Sequence, residues 1–594
     1  MMKSLLTAAV VLAAALSAFG AAAPPGPFEG AAPTPDTPID KMVFAKLTKL
    51  GIQPANVCSD AVFVRRVYLD VIGTLPTAQE AKDFLQSTDA NKRSALIDRL
   101  LARDEFADYW AMKWSDLLRV KAEFPINLWP NAAQSYYRWI HTCLKENKPY
   151  DQFVREMLLA NGSCFREPAV NFYRAMQNKE PQGIAQTVAL TFMGTRTEKW
   201  PKERLAGMAA FFSQIGYKST GEWKEEIISF GLVPEAPAIP TTMLTPATTA
   251  PPAAAKAPAP TPARAITPQA TVFPDGTPGG LIPGKDPREA FAAWLISPRN
   301  AWFAKNISNR AWSWLMGRGI IQEPDDIRPD NPPVNPELLA YLEKELVGAR
   351  YDLKHLFRLI LNSKTYQLSS IPQTKSPEAA ANFAQYPLRR LEAEVLIDAL
   401  DQITGTTEKY SSAIPEPFTF IPDNMRSIAL PDGSISSSFL EMFGRPSRDT
   451  GLESERNNRP TADQRLHLLN SSHIQRKLEQ SPKLRTLMQS KGTPREVVSS
   501  LYLTILSRLP TDDELKAVGA YSQANGGGQG GTAAGASFQA GGPGKGGPGG
   551  GAFSKGGGRG GAGTYSQGGS SRSGTAAIDV AWALVNSAEF LYRH

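Results

Sequence analysis

Val67-Tyr68-Leu69-Asp70-Val71-Ile72-Gly73-Thr74-Leu75-Pro76-Thr77 and Leu501-Tyr502-Leu503-Thr504-Ile505-Leu506-Ser507-Arg508-Leu509-Pro510-Thr511 are two versions of one phrase, at a constant offset of 434. Each reads as the end of an apolar helix, a Leu-Pro turn and a new helix. The new start carries a capping box, Thr77 with Glu80 and Thr511 with Glu514. In such a box the hydroxyl accepts from the third helical N–H, and the carboxylate reaches back to the cap's own N–H. Two copies make a recurrent helical hairpin, since a solenoid needs three or more.

The same periodicity extends outward. Asp286-Pro287-Arg288-Glu289 is a helix start, with Asp as cap and Pro in the first turn. Phe291, Trp294 and Leu295 follow at i, i+3, i+4. Trp110 and Trp114 are four apart, and Val154, Met157 and Leu158 repeat the pattern. Alternating patterns of strand length are scarce. The expected fold is mainly α: two multi-helical domains joined by a Pro/Ala-rich linker, with a disordered Gly-rich loop near the C-terminus.

Composition sets the boundaries. A chain of 594 residues exceeds one core. Residues 1–22 read as a signal peptide: Lys3, an apolar run from Leu5 to Phe19, then small residues around Gly20. That run is short of the roughly 20 residues that span a bilayer. The expected location is therefore outside the cytoplasm, in the periplasm or at the cell surface, with no transmembrane segment after cleavage. Residues 234–284 hold 13 prolines and read as a semi-rigid linker that permits independent docking of the flanking domains. Residues 526–569 are 22 glycines in 44 and cannot bury enough apolar surface to order. The domains are expected at 39–230 and 286–594, the second with an insert at 526–575.

The formal charge of +7 includes Lys3 and four cations of the Gly-rich tract, Lys545, Lys555, Arg559 and Arg572, so about +2 remains elsewhere. That is no electrostatic footprint for nucleic acid. Cys58, Cys143 and Cys164 permit one disulfide but no framework. His467 and His473 are six apart, which does not place them on one helical face, so a zinc pair is not expected.

The wording resembles a bacterial envelope family known as domains of unknown function 1549 and 1553. The first resemblance rests on Arg65-Arg66, Tyr68, Asp70, Leu75-Pro76-Thr77, Trp110, Trp114, Asp116, Arg119, Tyr137-Arg138-Trp139 and Asn147 to Val154. The second rests on Asn309-Arg310-Ala311-Trp312, Gly317-Arg318-Gly319, Asp325-Asp326, Asn335 to Leu339, Tyr351 to His355, Ser363 to Gln367 and Arg389 to Glu394. The resemblance implies an exported protein of planctomycetes and related bacteria, often encoded beside a secreted sulfatase-like protein. It implies no catalytic residue. Many relatives carry a Cys-x-x-Cys-His haem site where this chain reads Thr195-Arg196-Thr197-Glu198-Lys199-Trp200. Relatives also carry Cys-x-Cys-Glu-Arg where this chain reads Leu452-Glu453-Ser454-Glu455-Arg456. No cofactor is therefore expected.

Candidate chemistry is weighed against plainer roles. Arg389 to Glu394 with Asp398 offers paired carboxylates for acid–base work, or helix-face pairs Arg390/Glu394 and Glu394/Asp398 at i, i+4. Asp325-Asp326 offers oxygen ligands for a cation, or a turn neutralised by Arg328. Trp110, Trp114, Tyr136, Tyr137 and Trp139 fit a helix core, while Trp129-Pro130 lies outside that spacing and is the better surface ring. Glu222, Trp223, Lys224, Glu225 and Glu226 resemble a charged helix face. The expected function is a non-catalytic binding or assembly module for a secreted sulfatase-like partner or an envelope polysaccharide. The alternatives are a glycan hydrolase using Asp116, Asp151 or Glu392, and a haem-free scaffold in an electron-transfer assembly. The ligand-binding candidates are Trp129, Asp116, Asp151, Asp326 and Glu392.

Overall fold

The structure, a computed structural model, describes residues 27–231, 271–280, 284–526 and 572–594. The signal peptide, most of the linker and residues 527–571 of the Gly-rich tract lie outside them. The described chain is mainly α-helical. A small antiparallel sheet joins Gly162–Ser163, Glu226–Phe230 and Ile215–Ser219, in that order. A second pairs Arg389–Arg390 with Tyr592–Arg593. Among the described residues no helix is long and apolar enough to cross a membrane.

The repeated phrase folds alike in both places. Helix Asp60–Val71 ends near Gly73 at φ +59°, and helix Pro494–Leu506 ends at Ser507 at φ +61°. The two left-handed residues are equivalent in the repeat. At Gly73 a Cβ would meet the Tyr109 ring at 2.4 Å, so that copy needs glycine. Both capping boxes form. Glu80 accepts from Thr77 N–H at 2.8 Å, and Glu514 accepts from Thr511 N–H at 2.7 Å. The copies also lean on each other: Arg65 donates to the Ile505 carbonyl at 2.8 Å.

One apolar core runs through both halves of the chain, in contrast to independent docking. The cause lies in helix Asp104–Leu117, which is buried on nearly every side. Such a helix needs neighbours all round, and one half cannot supply them. Trp110 stacks on Phe357 at 4.4 Å, and Trp114 meets Trp314 edge-on at 5.9 Å. The end of the expected linker is also folded. Phe273 stacks on Phe211 at 4.8 Å and on Trp294 at 5.1 Å, while Asp275 accepts from the Trp294 indole at 2.8 Å. Cys58, Cys143 and Cys164 are buried free thiols.

Two local expectations are corrected. Arg389–Arg390 is a strand, and the helix begins only at Ala393, so Arg390 and Glu394 do not share a helix face. Pairing with the C-terminal strand holds that segment extended. Glu222 to Glu225 lie in the loop of a β-hairpin, with Lys224 at φ +61°, and Glu226 opens its second strand, so the segment is not a helix face. His467 and His473 lie on two helices broken at Ser471, so their rings converge.

Candidate functional site

Two of the acidic candidates, Asp116 and Glu392, fall into a buried charge web where the halves meet. Asp116, on helix Asp104–Leu117, accepts from Arg448 at 2.9 Å and from Arg456 at 2.7 Å. Arg456 also donates to Glu394 at 2.7 Å. Glu392, the residue before helix Ala393–Thr404, accepts from Lys113 at 2.7 Å and from Arg593. Arg593 continues to Asp70 at 3.2 Å, and Asp70 accepts from the phenols of Tyr366 and Tyr386, each at 2.8 Å. Most of these partners lie hundreds of residues apart in sequence.

Burial pushes the Glu392 carboxyl up, but the charges of Arg593 and Lys113 outweigh it and hold its pKa well below the usual carboxylate range. Burial likewise raises Glu394, and Arg456 overcomes this to hold it at about 2. Asp398 goes the other way. Burial pushes it up to about 6 against Arg426 and the N–H groups of Ser427 and Ile428, which donate at 2.7 and 3.2 Å. Glu394 and Asp398 are both buried and closed in by these donors. Every carboxylate in the web already has its partners, which is the arrangement of a structural clamp.

Asp151 opens helix Tyr150–Leu159, and burial raises its pKa. Its Oδ1 is buried without a hydrogen-bond partner. Asp325 and Asp326 diverge. Asp325 turns inward to Arg310 at 2.7 Å, and Asp326 turns outward to Arg328 at 3.0 Å. The two carboxylates therefore do not form one cation site. His467 Nε2 faces His473 Nδ1 at 3.4 Å, and His473 Nε2 faces Glu408 at 2.9 Å. Burial lowers the His467 pKa, and His473 adds to the effect. Among the described residues no three potential metal ligands converge.

Trp129 stands on a different surface. It precedes helix Pro130–Lys145 with φ +71° and is half-buried. Its ring meets Trp223 at 6.3 Å and Phe418 at 5.3 Å, both edge-to-face. Lys224 Nζ lies 5.3 Å from the centroids of both indoles. Glu123 accepts from the Ala413 N–H at 3.1 Å, which sets the 123–129 and 412–420 loops side by side. Those loops and the hairpin tip carry Phe124, Trp223, Phe418 and Phe420, at 80, 69, 45 and 68 % exposure. The other exposed aromatic side chains among the described residues are Tyr521 and Trp582. Two of the six exposed rings, Trp223 and Phe418, therefore pack against Trp129, and Phe124 and Phe420 sit on the same two loops. Trp223 is the residue that helix-based reading misplaced. The small residues Ser219-Thr220-Gly221, between Ile215/Tyr217 and Ile227, were the available hairpin signal.

Asp326 lines a cleft of about 990 Å³ between Thr195–Arg204 and the 301–333 segment. Next to the cleft-lining Thr195, the Gly194 carbonyl accepts from the N–H of the cleft-lining Ile327 at 2.8 Å. Gly194 has φ +60°, and a Cβ there would meet Asn306 Oδ1 at 2.5 Å. Gly194→Ala is expected to lower stability by about 2 kcal/mol, from the left-handed backbone and this clash. Thermal unfolding of the variant reads it, and an unchanged midpoint would show that the loop relaxes freely.

Residues 38–212 match the model of PSCyt2, a protein of unknown function (DUF1549), and residues 287–522 match PSD1, a protein of unknown function (DUF1553). No curated protein and no solved structure matches the chain. The chain belongs to the proteins that carry both of these domains.

Proposed function

We propose that this DUF1549–DUF1553 protein is an exported, non-catalytic binding module of the cell envelope, and that its ligand is a surface polysaccharide. The observation that carries the reading is the gathering of exposed rings around Trp129. Exposed aromatic groups cost hydration free energy, and a cluster rimmed by polar groups marks an interaction surface. Flat rings suit the apolar faces of sugars, and Lys224 at the rim supplies a donor. The export signal read at residues 1–22 supports the location.

Two of the three acids a hydrolase could use support the non-catalytic half of the reading. A glycosidase needs two carboxyl groups flanking an accessible bond, one of them with a raised pKa. Asp116 and Glu392 are instead engaged by two cations each.

Trp223→Ala is expected to weaken retention on immobilised envelope polysaccharide by about tenfold or more, a loss in the range of stacked-ring contacts. Its unfolding midpoint should stay close to that of the parent, because the ring is exposed. Affinity electrophoresis in polysaccharide-containing gels measures the retention. Equal retention of variant and parent would reject the aromatic surface, and stoichiometric capture of one secreted protein in place of glycan would move the ligand to a protein partner.

A further inference from the structure

We infer that the cleft between Thr195–Arg204 and Asp326–Pro333 is a second binding site, and that it takes an anionic saccharide, a sugar bearing sulfate or carboxylate groups. It shares no residue with the aromatic surface around Trp129 and stands or falls separately from it. Its volume of about 990 Å³ is that of a site for a ligand of several sugar units rather than a packing gap.

Two features identify the chemistry. The first is the state of the cations. Arg328 is committed to Asp326 and Asp330, and Arg196 to Glu323. Arg204, Lys199 and Lys305 line the same cleft and have no hydrogen bond or ion pair within salt-bridge distance among the described residues. The Arg204 Nε is a buried donor without an acceptor. The acid nearest in effect, Asp275, already accepts from Thr277 and the Trp294 indole. Against these three uncommitted cations the lining offers one uncommitted acid, Glu198. Three unpaired cations against one unpaired acid leave the cleft with an excess of positive charge.

The second feature is the way Arg204 is held. Its guanidinium carbon lies 4.0 Å from the Trp200 ring centroid and 5.7 Å from that of Trp302. Ring faces fix the fork and leave its N–H edge for a ligand. A planar fork beside two indoles matches a sugar that presents a sulfate or carboxylate next to an apolar ring face. The site spans both halves, with Arg204 and Trp200 from the first and Trp302 and Lys305 from the second.

The test titrates the full chain with a dextran sulfate oligosaccharide and with the unsulfated parent dextran, followed by calorimetry and indole fluorescence. Saturable binding of the sulfated chain is expected, at least about tenfold tighter than the neutral one and weakening with salt. Arg204→Met and Lys305→Met are each expected to weaken it by about tenfold. Lys199→Ala, at an exposed position, gives the same reading should Arg204→Met fail to fold by circular dichroism. Equal binding of neutral and sulfated dextran overturns the assignment. So does unchanged binding of dextran sulfate in the folded variants. Binding of a nucleoside triphosphate at these residues, with no binding of dextran sulfate, also overturns it.

Discussion

Arg456→Met is expected to lower the free energy of unfolding by about 3–5 kcal/mol, the usual cost of removing one partner from a buried ion pair. Among the described residues, Arg456 is the one cation in an ion pair with both Asp116 on the first half and Glu394 on the second. The Glu394 side chain is fully buried and that of Arg456 is 7 % exposed, so neither charge has water to fall back on. Met fills the volume but leaves Glu394 with Arg445 at 3.5 Å as its remaining cation. Asp116 keeps Arg448. The double variant Arg456→Met/Glu394→Gln should therefore recover part of the loss, because it removes the stranded charge as well as its partner. Urea unfolding curves of the three proteins check this. A loss under about 1 kcal/mol, with no recovery in the double variant, would show that water enters the web and that the halves are held by apolar packing alone.

Glu392→Gln is expected to be as costly, at about 3–5 kcal/mol, since it leaves Lys113 and Arg593 facing a neutral amide. It carries a pH signature that a packing defect would lack. Glu392 and Glu394 both have folded pKa values below their unfolded ones. The stability they add is complete above the unfolded value of about 4.3. It is lost as pH falls through the folded values, about 2 for Glu394. The parent protein should therefore lose stability steadily from about pH 4.5 towards pH 2, and Glu392→Gln should show a shallower slope over that window from a lower start. Denaturation midpoints at a series of pH values separate the two slopes. Parallel curves would mean that Glu392 is not a charged partner in the fold.

Much of the helical framework was legible because helix signals are local. The capping boxes at Thr77 and Thr511 needed only four residues each, and both form. The equivalence of Gly73 and Ser507 was visible as an aligned pair, and both are left-handed. Trp129 stood out because it broke the helical spacing, and it does reach the surface cluster. What stayed hidden is non-local. Asp116 finds Arg456 across 340 positions, and no periodicity encodes that choice. Helix spacing alone was not enough in three places. Trp223 sits among charges that suit a helix face, yet it lies in the loop of a hairpin whose strands pair on either side of it. His467 and His473 fail the spacing of one helix, and the break at Ser471 brings their rings together by joining two. Arg389–Arg390 reads as helix next to Ala393–Thr404, but its extended form depends on a partner strand at the other end of the domain.

The central claim is that the carboxylates hold the molecule together while exposed rings hold its ligand. The most direct measurement titrates the full chain with solubilised envelope polysaccharide and follows new reducing ends in the same samples. The account predicts saturable binding with no rise in reducing ends over the background of the polysaccharide alone. A rise in reducing ends that disappears in a folded Asp116→Asn variant would contradict it, and would make the charge web an active site.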